Sequence, residues 1–398
     1  MLDVRSYQVI DTDTHVIEPY DLWTSRMSAR TWGDRVPHVR WDEQMQEDAW
    51  YTGDIRLSSA GAPAQAGWHE YTPLHPPRLQ DARPETWRVE DRLAWMDKYA
   101  IWAQVLYPNV AGFGAGQFLG AGDTALALEC IRAYNDFLAE YSSVDFRRFV
   151  PVMALPFWDL DLTVAEIERA TELGHKGIIM TAEPAHWGQP KLTDPYWDRL
   201  WAAAQEADLS INFHIASGDM APYEAVHHST GKHANFASMG VQFFMGNVKT
   251  IALLTTGGIC HRFPALNFVS VESGVGWIPY ALRALDWQWK NCGVVFEHPE
   301  YELLPSEYFQ RQIFGCFWFE HDTLESTLEQ IGPDNLLYET DFPHPTSMSP
   351  GPASAAVDPD RYIQETLGGQ SEDVLRKVLH ETAARLYHLD PLPAAAGQ

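Results

Sequence analysis

Basic residues are scarce in this chain of 398 residues. Lysine and arginine together number 28, against 54 aspartates and glutamates, so the formal net charge is −26 at pH 7. A surface this acidic repels phosphate backbones and anionic lipid headgroups. We therefore expect neither a nucleic-acid partner nor a membrane partner.

Cysteines and long hydrophobic runs are also few. The four cysteines are far apart and form no CxxC pair, which excludes a disulfide or zinc-finger framework and fits a reduced chain. The sequence does not open on a charged segment followed by an apolar one, and no window contains about 18 consecutive apolar residues. These absences predict a cytoplasmic protein without a signal peptide or a transmembrane helix.

Short apolar runs, rich in β-branched and aromatic residues, alternate with helical patterns along the chain. The runs are nearly continuous in hydrophobicity, as in strands that are buried on both faces. Eight strands alternating with helices predict an α/β fold, a (β/α)8 barrel, with an open doubly wound sheet as the alternative. The predicted strands are Val9–Asp13, Ala103–Tyr107, Phe149–Leu155, Gly177–Met180, Leu209–His214, Phe268–Glu272, Ile313–Phe319 and Leu336–Thr340.

A single domain is predicted over residues 1–388, with two insertions that a barrel does not need. Residues 19–83 separate the first strand from its helix and form a predicted cap, and residues 216–235 follow the fifth strand as a predicted lid. Both insertions follow the C-terminal end of a strand, where barrel active sites form. A closing helix is predicted over Glu372–Leu386, and residues 389–398 are predicted to be a disordered tail.

Acidic and histidine side chains stand at the ends of several predicted strands. Asp13 and His15 end the first strand and, being two residues apart, project to the same side. His214 ends the fifth strand, Glu272 the sixth and Asp341 the eighth. Barrel closure brings these ends to one rim, where such side chains can bind a divalent metal ion. The sequence therefore predicts a metal site at this rim.

Further residues near the rim are predicted to belong to the same site. Glu18 is a sixth predicted metal ligand, with a solvated acid at the rim as the alternative. The histidines of the lid could be metal ligands, proton carriers or substrate contacts, or simply part of a polar loop. Clustered aromatic residues hint at a bulky apolar substrate. The predicted substrate and lid contacts are His227, His228, His233, Trp277 and His344.

The motifs at these strand ends resemble those of the amidohydrolase superfamily. The shared pattern is Asp-x-His on the first strand, His on the fifth and Asp-x-Pro-His on the eighth. The chain is most similar to the amidohydrolase-2 group, which includes aminocarboxymuconate semialdehyde decarboxylase. The resemblance covers about residues 9–388 and implies a homodimer, with the metal ligands Asp13, His15, His214 and Asp341. Further matches begin at Lys176, His261, Glu272 and Ala383.

Two departures from the family pattern bear on the reaction. Asp13 replaces a histidine that the family often has, and Glu272 stands where the decarboxylases carry a catalytic histidine. The resulting shell is rich in carboxylates, which suits one or two hard or borderline ions. Zinc is the family default, and iron or manganese fits this shell as well or better.

The resemblance implies a metal-dependent enzyme with three alternative reactions. Hydrolysis by a metal-activated water is the default expectation, with His214 holding the ion and Asp341 accepting the proton of the water. The alternative is oxygenation, because amidohydrolase-fold di-iron monooxygenases of terpenoid biosynthesis resemble this carboxylate-rich pattern. Glu272 would then bind iron. Non-oxidative decarboxylation is the third alternative, and a barrel without catalytic activity is the least expected.

Overall fold

The computed structural model of the chain describes residues 2–114, 116–218 and 231–391. Eight parallel strands join in the order β1-β5-β6-β7-β8-β9-β10-β11, and three antiparallel strands form a separate sheet, β2-β3-β4. The predicted (β/α)8 barrel is thereby confirmed. The strands are β1 Val9–His15, β2 His38–Asp42, β3 Glu47–Thr52, β4 Ile55–Ser59, β5 Ile101–Tyr107, β6 Phe149–Ala154, β7 Gly177–Ile179, β8 Ser210–His214, β9 Phe268–Val271, β10 Ile313–Phe317 and β11 Leu336–Tyr338.

The barrel closes between the first and the last of its strands. The backbone N–H of Asp341 donates to the carbonyl of Asp13 (2.9 Å), and the N–H of His15 donates to the carbonyl of Phe342 (2.8 Å). These two bonds lie just beyond β11, where the chain continues alongside β1. Closure therefore places the carboxyl ends of these strands side by side.

Burial explains why the strand pattern could be found in the sequence. All seven residues of β1 are buried, as are all five of β8 and all four of β9. One side of each strand faces the barrel interior, and the other packs against the surrounding helices, as Phe268 does against Trp201 (ring centroids 6.2 Å apart). Strands of this kind have no polar face, so they appear as continuous apolar runs.

Helices surround the barrel and begin where local capping residues occur. The Asp123 carboxylate accepts hydrogen bonds from the first-turn N–H groups of one helix, and the Asp159 carboxylate does the same for the next. The α-helices are Ala29–Trp32, Val89–Lys98, Thr124–Ser142, Leu160–Glu172, Asp198–Glu206, Lys232–Thr256, Ile259–Arg262, Ile278–Asn291, Val294–Glu297, Pro305–Gln312, Leu324–Ile331, Pro359–Leu367, Glu372–Arg376 and Thr382–Leu386.

The predicted closing helix is interrupted near its middle. Residues Lys377–Glu381 form a π-helical turn between two short α-helices. His380 lies in this turn, and its ring nitrogens contact the carbonyl oxygens of Gln8 (2.8 Å) and Asp390 (2.9 Å). A π-turn adds a residue to the helix, and here it directs a buried histidine toward two backbone acceptors.

The first insertion contains the small antiparallel sheet, which the sequence did not predict. Its central strand β3 is fully buried, and Trp50 from this strand packs edge-to-face on Trp23 with ring centroids 4.9 Å apart. Residues 219–230 of the predicted lid and residues 392–398 of the predicted tail lie outside the described residues. Within the described ranges, no helix has the length and apolar composition required to cross a membrane.

Candidate metal centre

Strand β1 ends with two buried side chains that point into the barrel. The Oδ1 atom of Asp13 lies 3.4 Å from the Nε2 atom of His15. The other ring nitrogen of His15, Nδ1, lies 3.0 Å from the carbonyl oxygen of Pro108. Because a carbonyl oxygen only accepts, Nδ1 donates, and the neutral ring presents its Nε2 lone pair to the interior.

His214 at the end of β8 is arranged in the same way. Its Nδ1 atom donates to the carbonyl oxygen of Ile215 (2.9 Å), so its Nε2 atom also presents a lone pair. This Nε2 lies 3.2 Å from Nε2 of His15 and 3.7 Å from Oδ1 of Asp13. Two imidazole lone pairs and a carboxylate oxygen therefore face one another at short range, an arrangement that a cation between them would stabilise.

Two carboxylates complete the arrangement, and both lie just beyond the carboxyl ends of barrel strands. Glu272 follows β9 and Asp341 follows the end of β11, each with a backbone φ of +56°. Residues other than glycine rarely adopt this left-handed conformation, and such residues concentrate at functional sites. The Oε2 atom of Glu272 lies 3.2 Å from Nε2 of His214. The Oδ1 atom of Asp341 lies 3.6 Å from Nε2 of His15.

We refer to Asp13, His15, His214, Glu272, Asp341 and His344 as the metal cluster. The cluster contains two overlapping groups of four residues, which are Asp13, His15, His214 and Glu272, and His15, Glu272, Asp341 and His344. Within each group, one potential ligand atom from each residue lies within 4.8 Å of those of the other three. All four carboxylate oxygens of Asp13 and Asp341 are buried without a hydrogen-bond partner among the described residues. Burying such oxygens is costly unless a positive charge compensates them. The donor set thus fits a divalent metal ion.

Burial dominates the electrostatics of the cluster. Burial, together with the neighbouring acids, raises the pKa values of Asp13 and Asp341 well above their ordinary range, and burial raises that of Glu272 to about 8. Burial lowers the pKa of His214 to about 4 and that of His15 well below its usual value. Neutral imidazoles are competent ligands, and a bound cation would favour the ionised carboxylates.

The structure does not bring Glu18 into the cluster. One of its carboxylate oxygens, Oε1, accepts hydrogen bonds from the backbone N–H groups of Asn109 (2.8 Å) and Val110 (2.9 Å). The side chain is buried, so it is not the solvated rim acid of the alternative interpretation. Glu18 instead anchors the loop that follows β5.

The remaining predicted contacts have partners other than the cluster residues or fall outside the described residues. Trp277 donates its indole N–H to a backbone carbonyl in the loop before its own helix. His233 is exposed, and its Nδ1 atom lies 2.7 Å from the carbonyl oxygen of Thr72 in the cap. His227 and His228 fall among the residues that the structure does not describe.

Sequence reasoning missed three residues around the cluster. Phe113 stacks on the His214 ring, with centroids 4.1 Å apart and an interplanar angle of 25°. Asn109 contacts His344, and both Phe113 and Asn109 lie in the loop after β5, where no periodic pattern marks them. Glu339 is fully buried. It precedes Asp341 by two residues, so the strand alternation could have identified it.

A cavity of about 290 Å³ adjoins the cluster and is lined by Glu272 and His344. Phe113, Phe243 and Phe244 supply aromatic walls. Of the described residues that line this cavity, Glu272 and His344 are the only ones with titratable side chains. The cavity therefore combines an apolar space suited to a planar ring with two groups that can exchange a proton.

Comparison with known proteins places this geometry among related enzymes. A family model described as amidohydrolase matches residues 10–389. Gamma-resorcylate decarboxylase from Polaromonas sp. strain JS666 is 25% identical over 308 residues, which cover 75% of this chain and 86% of that protein. An amidohydrolase structure from Mycobacterium avium subsp. paratuberculosis K-10 matches 97% of this chain and 100% of its own, with a TM-score of 0.75 and 22% identity.

A third relative is a solved structure that contains a metal ion. It is a dihydroxybenzoic acid decarboxylase from Polaromonas sp. JS666 with bound manganese and the inhibitor 2-nitroresorcinol. It matches 96% of this chain and 96% of its own, with a TM-score of 0.61 and 20% identity.

These relatives correct the predicted reaction. The curated relatives are named decarboxylases, so the default prediction of hydrolysis is wrong, and so is the alternative of di-iron oxygenation. Glu272 led to this error, because its presence in place of the catalytic histidine of the decarboxylases argued against decarboxylation. Of the predicted metals, zinc and iron find no support among these relatives, whereas manganese is the metal named in the dihydroxybenzoic acid decarboxylase.

Proposed function

Because the chain belongs to the amidohydrolase family, we propose that it is a metal-dependent, non-oxidative decarboxylase of a hydroxylated aromatic acid. The observation that carries the proposal is the convergence of two imidazoles and three carboxylates in the metal cluster, in which the oxygens of Asp13 and Asp341 are buried without a hydrogen-bond partner among the described residues. The names of the curated relatives support the reaction class, and the relative with bound manganese supports Mn²⁺ as the ion.

The proposed reaction replaces the carboxylate of an aromatic ring with hydrogen. A proton is added to the ring carbon that bears the carboxylate. The bond from this carbon to the carboxylate then breaks, its electron pair returns to the ring, and carbon dioxide leaves. The atoms and charges balance without an oxidant or a reductant. A divalent ion bound by the cluster supplies positive charge that orients the anionic oxygens of the substrate.

Two features of the cavity fit this chemistry. The aromatic walls formed by Phe113, Phe243 and Phe244 can enclose the ring and exclude water. Glu272 lines the cavity and takes the place that the resemblance assigns to the catalytic histidine. We assign to Glu272 the delivery of the proton to the ring carbon, because the Nε2 atom of His344 is engaged by Asn109 and its Nδ1 atom faces Asp341 inside the cluster.

Product analysis tests the proposed reaction. The protein loaded with Mn²⁺ is incubated without oxygen with 2,6-dihydroxybenzoate and a panel of related ortho-hydroxybenzoates. We expect at least one acid to yield carbon dioxide and the corresponding phenol in equal amounts. A product that carries an additional oxygen atom, a requirement for dioxygen, or no turnover of any acid in the panel would contradict the proposal.

Removing the metal should affect stability as well as activity. Manganese at 100 times its dissociation constant is expected to stabilise the metal-free protein by about 2.7 kcal/mol, because an ion that binds only the folded state shifts the folding equilibrium. Thermal unfolding with a chelator and after restoration of Mn²⁺ measures this difference. The His214→Ala variant is the control, and its unfolding temperature should not respond to Mn²⁺. An equal response in both proteins would place the ion elsewhere.

A further inference from the structure

A hydrogen-bonded chain of three side chains leads from the buried Glu18 to the metal cluster. The Oε1 atom of Glu18 is occupied by the backbone N–H groups of Asn109 and Val110. Its Oε2 atom accepts a hydrogen bond from the side-chain Nδ2 of Asn109 (3.3 Å). Both oxygens of Glu18 therefore act as acceptors that hold Asn109 in place.

The orientation of the Asn109 amide follows from its partners. Its Nδ2 atom also donates to the carbonyl oxygen of Val16 (3.0 Å). An amide nitrogen only donates, and two acceptors, Glu18 and Val16, lie on this side of the group. The amide oxygen Oδ1 must then point the other way, where it lies 2.7 Å from Nε2 of His344.

This orientation selects one tautomer of His344. Because the Asn109 oxygen only accepts, the Nε2 atom of His344 carries the hydrogen. In a neutral imidazole the other nitrogen, Nδ1, then carries no hydrogen and presents a lone pair. It lies 3.0 Å from Oδ1 of Asp341. That oxygen has no hydrogen-bond partner among the described residues. The His344 ring is also fixed by stacking on His15, with centroids 3.6 Å apart.

We infer that Glu18 and Asn109 are positioning residues that hold His344 with its hydrogen on Nε2, so that the Nδ1 lone pair faces Asp341 and the bound metal ion. The inference rests on the proposed function, since it takes the cluster as the metal site of the reaction. His344 Nδ1 then adds a neutral donor atom to the cluster. Glu18 acts on the metal through two intervening side chains.

The variant Glu18→Gln preserves the size of the side chain but is expected to exchange donors and acceptors along the hydrogen bonds from position 18 to His344. The oxygen of the new amide can still accept from the backbone N–H groups, but its nitrogen faces Nδ2 of Asn109, and two donors repel. The Asn109 amide is then expected to turn over at the cost of its hydrogen bond to the Val16 carbonyl, and the hydrogen of His344 to move to Nδ1. Loss of such an outer partner typically costs about 10- to 100-fold in metal affinity or activity. We expect a decrease of this size in Mn²⁺ affinity and kcat, with KM nearly unchanged.

A double variant separates positioning from general stability. In Glu18→Gln combined with Asn109→Asp, the new amide nitrogen can donate to the new carboxylate, whose other oxygen still accepts from His344. We expect the double variant to recover part of the Mn²⁺ affinity and kcat lost in Glu18→Gln, since the Val16 carbonyl no longer has a donor at position 109. The variant Asn109→Asp alone places two carboxylates together and should be impaired.

Glu320 provides the matched control. It is also a buried carboxylate that accepts from two backbone N–H groups, those of Val275 and Gly276, and it is not one of the clustered potential ligands. The variant Glu320→Gln should lower the unfolding temperature about as much as Glu18→Gln does, yet retain wild-type Mn²⁺ affinity. Equal loss of affinity in both variants would overturn the inference.

The tautomer of His344 can be observed directly. Protein labelled with ¹⁵N-histidine and loaded with diamagnetic Zn²⁺ is examined by NMR, with His344→Gln identifying the relevant signals. Hydrogen on Nε2 in the wild type and on Nδ1 in Glu18→Gln supports the inference, and the same tautomer in both overturns it. If Mn²⁺ affinity follows the expected pattern but no acid is decarboxylated, the proposed function fails and the positioning role stands.

Discussion

Replacing His214 by alanine should remove the bound manganese and lower the rate of decarboxylation about a thousandfold. The Nε2 atom of His214 lies 3.2 Å from Nε2 of His15 and 3.7 Å from Oδ1 of Asp13, so its loss opens the centre of the cluster. A metal ion contributes several kcal/mol to stabilising charge in a transition state, and each 1.4 kcal/mol is about tenfold in rate. The barrel should stay folded, because its stability lies mainly in the packed strand and helix layers.

Metal content, kcat and thermal unfolding of the same preparation measure this effect. His175 offers a matched control, since it is also a buried histidine and it contacts a backbone carbonyl, that of Asn135 (2.9 Å). It precedes β7 and so lies near the opposite end of the barrel strands. His175→Ala should lose stability but keep its manganese. A His214→Ala variant with one tightly bound ion per chain would refute the assignment of this ligand.

Replacing Glu272 by glutamine should lower kcat about 10²- to 10⁴-fold, the usual contribution of a positioned general acid. Glutamine preserves the size of the side chain but cannot deliver a proton to the ring carbon. The bound ion should be retained, because Asp13, His15, His214 and Asp341 remain. The unfolding temperature should stay within a few degrees of the wild type, since the substitution replaces a partly buried acid without creating a cavity.

Steady-state kinetics and metal analysis distinguish the roles of Glu272. Low kcat with the metal still bound supports proton delivery, and Glu320→Gln should leave kcat unchanged. If excess Mn²⁺ restores the activity of Glu272→Gln, the carboxylate is a ligand and not the acid. Activity within twofold of the wild type would show that Glu272 has neither role.

The sequence predicted the barrel because its strands are buried on both sides. The small sheet of the cap was missed for the opposite reason. Its outer strands β2 and β4 are partly exposed, and only β3 is fully buried. Such strands have mixed composition, and the glycines and prolines around them obscure the alternation of polar and apolar residues.

The sequence could predict those cluster residues that lie at the carboxyl ends of strands. Asp13, His15, His214, Glu272 and Asp341 could be placed at one rim once the strand order was known. Phe113 and Asn109 could not, because their positions depend on the path of a loop and on contacts with residues distant in sequence. The buried environment of Glu18 is likewise a result of tertiary packing, which the sequence near it does not show.

The reaction was beyond what the sequence could establish. The same carboxylates and imidazoles can support metal-assisted hydrolysis, oxygenation or decarboxylation, so the ligand pattern alone does not choose among them. Glu272 favours the wrong choice, since an acid in the place of the catalytic histidine argues against decarboxylation without excluding it. An acid can also hold and deliver a proton, so the exchange is compatible with the chemistry of the relatives.

A crystal structure of the manganese-loaded protein, with diffraction data collected at the manganese absorption edge, tests the central claim most directly. We predict an anomalous peak between Asp13, His15, His214 and Asp341, with the two Nε2 atoms among its ligands. Manganese bound only at another place, or no peak at this cluster in crystals of an active preparation, would contradict the account.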